Sequence, residues 1–119
     1  MRPKRRVVRK VHTLQSIKTK YTLQRIWKEI LKTFLAGQKE YGHSPKITFR
    51  NFVSIGTELG LAPEWVLWVY FHKHCDGILA YLKGHKSQRE DVRGRIKDAI
   101  VYLLLLWMMV DQTNGPKRN

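Results

Sequence analysis

Arg93-Gly-Arg-Ile-Lys-Asp-Ala-Ile-Val-Tyr-Leu-Leu-Leu-Leu-Trp-Met-Met-Val110 is the stretch whose reading decides the fold. It begins charged and ends as nearly pure hydrocarbon. Ser87 and Glu90 stand three apart just ahead of it, the spacing of a capping box, in which hydroxyl and carboxylate each take an unpaired amide. A helix from about Gln88 to Asp111 follows. Its apolar half is hydrophobic on every side, which predicts a helix wrapped by other elements. A membrane span needs roughly 20 apolar residues, and Ala99 to Val110 is too short, so a central core helix is expected.

Working back along the chain, Trp65-Val-Leu-Trp-Val-Tyr-Phe71 is a second run apolar on all sides. Pro63 and Glu64 ahead of it suit a first helical turn. Gly84 stops it, so a helix over 63–83 is expected. The link from Gly84 to Ser87 is short, which makes the two long helices an antiparallel hairpin. Phe49 to Leu59 reads as a short helix with Phe52, Ile55 and Leu59 inward and Gly60 at its end. Gln38 to Thr48 reads as a loop broken by Gly42, Ser44 and Pro45. Helical period runs from Thr13 to Ala36, secure over 22–36, with Gly37 as its stop. Glu29 is expected to pair with Lys28 or Lys32. The fold class is therefore all-α and four-helix bundle-like. A single domain over 21–111 follows a flexible basic arm over 1–20 and precedes a polar tail over 112–119.

The 119 residues hold one domain's worth of chain, and 43% apolar content with four tryptophans excludes a disordered class. The single cysteine, Cys75, permits no intrachain disulfide and fits a reducing, cytoplasmic setting. No apolar signal segment follows the basic N-terminus. The formal charge is +14, unevenly placed. Residues 1–20 carry eight Lys/Arg and no acid, which leaves 15 Lys/Arg against 9 Asp/Glu, or +6, for the remainder. Such an excess favours anionic partners. Arg2, Lys4, Arg5, Arg6, Arg9 and Lys10 are the candidate nucleic-acid contacts of the arm. With no stacking aromatic before Tyr21, contact there is expected to run through phosphates. A solvated tail or an import-like basic patch uses the same residues.

For chemistry inside the body, one constellation stands out. Lys73 and His74 lie midway along one long helix, and Arg95 and Asp98 lie early in the other. Lys73 is 11 residues before Gly84, and Arg95 and Asp98 are 8 and 11 after Ser87. At about 1.5 Å per residue these groups come level across the hairpin. Asp91, Arg95, Asp98 and Tyr102 also share one helical stripe. The set is either a polar pocket closed below by Tyr102 or a salt bridge pinning the hairpin. His72 and His74 have no histidine four residues on, and Cys75 has no CxxC partner, so no metal site is expected. No catalytic residue is assigned.

Arg95-Ile-Lys-Asp98-Ala-Ile-Val-Tyr102 resembles the last motif of the all-α nucleotide pyrophosphohydrolases of the MazG type. More specifically, the pattern resembles phage and prophage proteins of the nucleotide modification associated domain 1 family. Lys39-Glu-Tyr-Gly42, Phe49-Arg-Asn-Phe52 and Lys73-His74 with Ile78 match more loosely. In the enzymes, Glu-x-x-Asp before an apolar run with Tyr holds magnesium at a nucleoside triphosphate. Here Arg95 replaces the glutamate, and the upstream acids have no counterpart. Magnesium wants several hard oxygen ligands. The resemblance thus implies the scaffold and a nucleotide- or phosphate-binding site of Lys73, His74, Arg95, Asp98 and Tyr102, with no cofactor. Basic groups in place of acids would meet phosphate directly. A small basic nucleic-acid-binding phage protein is the first alternative. A pyrophosphohydrolase that uses magnesium and recruits Glu29, Glu40 or Asp91 is the second. A protein inhibitor or structural partner is a further one. Expected partners are nucleotide or nucleic acid, with no membrane; homo-oligomerisation is left open, and the host cytoplasm is the expected location.

Overall fold

The computed structural model describes residues 2–41, 49–85 and 90–115, with side chains described over 13–37, 49–85 and 90–115. The described residues form four helices and no strand: α1 (Arg2–Tyr41), α2 (Arg50–Leu59), α3 (Pro63–Leu82) and α4 (Val92–Asn114). The chain is all-α, with α3 and α4 packed together. It divides into two compact units, 1–33 and 34–119.

The first unit is most of α1. The expected arm over 1–20 is helical from Arg2 onward, and the division between units falls 13 residues beyond 20. Every side chain from Thr13 to Glu29 is exposed, and Ile30 is buried. The Thr19 hydroxyl donates to the Gln15 carbonyl at 2.8 Å. Glu29 pairs with Arg25 at 3.7 Å, one turn back, instead of with Lys28 or Lys32. Gly37 does not stop the helix. It lacks the positive φ that Gly60, Gly84 and Gly115 adopt, and without that a glycine inside a helix only weakens it. The start of the expected loop, Gln38 to Tyr41, is still helical, and residues 42–48 lie outside the described residues.

The second unit holds the core. Phe52, Val66, Leu67, Leu105 and Met109 form it, with Phe34, Ile55, Tyr102 and Leu106 packed around. Helix α2 ends at Gly60 in the left-handed region (φ 69°). The chain then turns so tightly that the Leu61 amide donates to the Gly56 carbonyl at 2.9 Å. Pro63 occupies the first turn of α3 as expected. Its end is a Schellman motif: the His85 amide reaches the Ala80 carbonyl and the Gly84 amide the Tyr81 carbonyl. Helix α4 begins later than expected. Asp91 caps it, accepting from the Arg93 amide at 2.8 Å; Ser87 of the expected capping box lies outside the described residues.

Two packing expectations fail. Leu59 points to solvent instead of inward. The apolar runs of α3 and α4 are not wrapped: Trp65, Val69, Leu103, Trp107 and Val110 are all exposed. The reason is a shortage of covering elements. Each run is apolar on all sides, but α3 and α4 shield one another on one face only, and only six hydrophobics of this unit are buried among the described residues.

Candidate functional site

The face that α3 turns to α4 carries Tyr70, His74 and Gly77, spaced by four and three. Tyr102, Asp98 and Arg95 answer from α4 in the reverse order, which makes the hairpin antiparallel as the short link implies. The rings of Tyr70 and Tyr102 stack with centroids 6.4 Å apart and planes 6° apart. His74 lies tilted against Tyr102 at 5.3 Å. Phe52 of α2 meets both tyrosines edge-on at 6.1 Å. The ring of Tyr102 is thus enclosed by three others.

Asp98 stands one turn before Tyr102, half-buried. Burial pushes its carboxyl above the usual aspartate range, Glu90 adds to that push, and His74 and Lys97 pull it down. Burial also raises the Tyr102 phenol, with Asp98 and Tyr70 pushing the same way. The His74 Nδ1 is buried with no hydrogen-bond partner. Arg95 lies flat on α3: a Cβ at Gly77 would run into its guanidinium. Small size at residue 77 is what lets the arginine approach.

Of the five residues expected here, the hairpin brings His74, Asp98 and Tyr102 together and sets Arg95 one turn further along. Lys73 is exposed and makes no ion pair with a described residue. Adjacent helical residues point about 100° apart. Once Tyr70, His74 and Gly77 define the inner face, Lys73 falls to its side. Asp91 does not pair along the stripe with Arg95; it binds the Arg93 guanidinium at 3.1 Å while capping α4. His72 is exposed and pairs with Asp76 at 3.7 Å. Among the described residues no three His, Cys, Asp or Glu come close enough to hold a metal ion. The arm residues Arg2 to Lys10 lie on the α1 backbone, and their side chains are outside the described set.

Sequence reasoning missed Tyr70, Phe52 and Gly77. Tyr70 was legible, being four residues from His74 on the same helix. Phe52 comes from a separate helix, and no spacing rule connects it to Tyr102. Chemically, the site offers an aromatic floor, one aspartate whose pKa burial raises, an imidazole with an unused nitrogen and a guanidinium in no ion pair among the described residues. No family model, curated protein or solved structure matches this chain.

Proposed function

We propose that the chain binds nucleic acid through α1. The observation that carries this reading is the charge of one continuous helix: α1 bears twelve Lys/Arg against Glu29 and Glu40 alone. Arg2, Arg5, Arg6 and Arg9 recur at the three- and four-residue spacing of a single helical stripe. A rod so charged neutralises phosphates in series and releases their counterions, a driving force that needs no base-specific contact. Tyr21 and Trp27, both exposed between Lys18, Lys20, Arg25 and Lys28, add faces on which unpaired bases can stack. The test is a fluorescence-anisotropy titration of labelled duplex and single-stranded oligonucleotides across a salt series. The full chain should bind with an affinity that falls linearly in log–log form. A chain lacking residues 1–20 should lose most of that affinity and most of the slope. Equal binding by both would end the reading.

A second reading places a nucleotide or free phosphate at the hairpin. It rests on two groups with unused hydrogen-bonding capacity: Arg95, half-buried and in no ion pair among the described residues, and the buried His74 Nδ1, which has no partner among them. On this reading the chain is a MazG-like scaffold of phage type, working in the host cytoplasm, that keeps a nucleotide site without metal-dependent hydrolysis. Asp98 weighs against it, because a carboxylate repels phosphate unless it stays protonated. Arg95→Ala should then weaken nucleotide binding about tenfold or more, as loss of a charged hydrogen bond does, with the melting temperature unchanged. Magnesium-dependent turnover by the full chain would instead favour the hydrolase.

A further inference from the structure

On the face of α4 turned away from α3, Ile96, Ile100, Leu103, Trp107 and Val110 follow at spacings of four, three, four and three. That is the a/d pattern of a coiled-coil seam, uninterrupted by any polar residue. Ile96 is 41% exposed, Leu103 45%, Trp107 68% and Val110 45%, and Ile100 between them is partly buried, so α2 and α3, the other helices of this unit, leave most of the seam uncovered. Monomeric proteins rarely leave so contiguous an apolar stripe to water.

We infer that a second copy of this chain covers it, α4 against α4, antiparallel about a two-fold axis near Leu103. Three observations select this occupant. The seam is symmetric in length about Leu103, so Ile96 of one copy meets Val110 of the other and Leu103 meets itself, as an isologous interface requires. The flanking charges are complementary only in this sense of pairing. Lys97 and Asp111 are two heptads apart on the same flank, both half-buried, and neither is in an ion pair with a described residue. The two-fold brings Lys97 of each copy beside Asp111 of the other, whereas a parallel pairing in register sets Lys97 beside Val92 and Asp111 beside Leu106, with no charge pair across the seam. The area also suffices. Trp107 alone leaves about 150 Å² to be covered, at the scale of a large aromatic side chain. The whole seam from two copies removes on the order of 1,000 Å², the threshold for a specific interface. The back of α3, where Trp65, Trp68 and Leu79 are also exposed, is the weaker candidate, because its stripe is interrupted by the His72–Asp76 pair.

Sedimentation equilibrium of the full chain in 0.15 M salt without nucleic acid tests the proposal. The wild type should dimerise reversibly in the micromolar range. Leu103→Arg, which sets two cations face to face on the axis, should be monomeric, with helical circular dichroism retained. Lys97→Asp should raise the dimer Kd at least tenfold, and the exchanged pair Lys97→Asp with Asp111→Lys should restore it. That restoration separates a broken interface from a misfolded variant. Leu79→Arg should leave the dimer intact. A monomeric wild type at 100 μM overturns the proposal. So does a dimer that survives Leu103→Arg, or one that Leu79→Arg dissociates.

Discussion

Asp98 and Gly56 show how single positions in this fold are constrained from opposite directions. The Asp98 carboxyl is held above its ordinary pKa chiefly by burial, and it makes no ion pair within 4.0 Å among the described residues. A raised carboxyl pKa means that its ionisation costs the folded state. The group contributes stability below the unfolded pKa of about 3.9, and that contribution is lost as pH rises through the folded value. Asp98→Asn should therefore match the wild type near pH 3 and melt higher at pH 7. The gain should stay below about 1 kcal/mol, since Asp98 is largely screened by water. A lower melt for the variant at pH 7 would show that attraction to His74 outweighs burial. At Gly56 the constraint is steric: a Cβ there would strike the Leu61 carbonyl oxygen, a backbone atom held by its own turn. Alanine is the better helix former by roughly 0.5–1 kcal/mol, yet Gly56→Ala should destabilise by about 1–3 kcal/mol, as overpacking does. Thermal melts of the two proteins measure this directly. Neither constraint is legible in sequence. Asp98 could be placed at the hairpin by counting residues, but its partner depended on a 100° difference between Lys73 and His74. Gly56 reads as an ordinary helix interior until the turn at Gly60 folds Leu61 back over it.

At the scale of elements, the starts and stops were readable where local chemistry decides them. Pro63 opens α3, and Gly60 and Gly84 follow the ends of α2 and α3 with positive φ. Gly37 carries the same letter without that conformation, and the helix continues through it. Burial was less legible, because hydrophobicity says that a face wants cover and not that cover exists. Leu67 and Leu103 make the contrast measurable. Both lie in apolar runs that the sequence assigns to the core, but Leu67 is fully buried between α2 and α4 neighbours and Leu103 faces water. Leu67→Ala should cost about 2–5 kcal/mol in chemical denaturation. Leu103→Ala, measured at concentrations too low for association, should cost about 0.5 kcal/mol or less. Equal losses would place Leu103 inside the fold after all.

At the scale of the whole molecule, the uneven charge separates stability from binding. The residues of the core cluster all come from 34 onward, so removing residues 1–20 should leave the melting temperature within about 2 °C, the shift that a few tenths of a kcal/mol produces in a domain this size. A larger loss would mean that the first turns of α1 pack on the body or on a second copy. Helix α1 has a further property that follows from its own sequence. Its N-terminal turns hold Arg2 with Arg6, Arg5 with Arg9 and Arg6 with Lys10, like charges four apart, and no acid offsets the positive end of the helix dipole. Each such pair opposes the helix by about 0.2–0.5 kcal/mol. Any polyanion that neutralises them must by reciprocity favour the helical form, since a ligand that prefers one conformer shifts the equilibrium toward it. The molecule is therefore a reporter of its own electrostatic surroundings: far-UV ellipticity at 222 nm should deepen on adding inorganic polyphosphate at low salt, saturate as α1 is charge-matched, and relax as salt competes. A chain without residues 1–20 should show no such change.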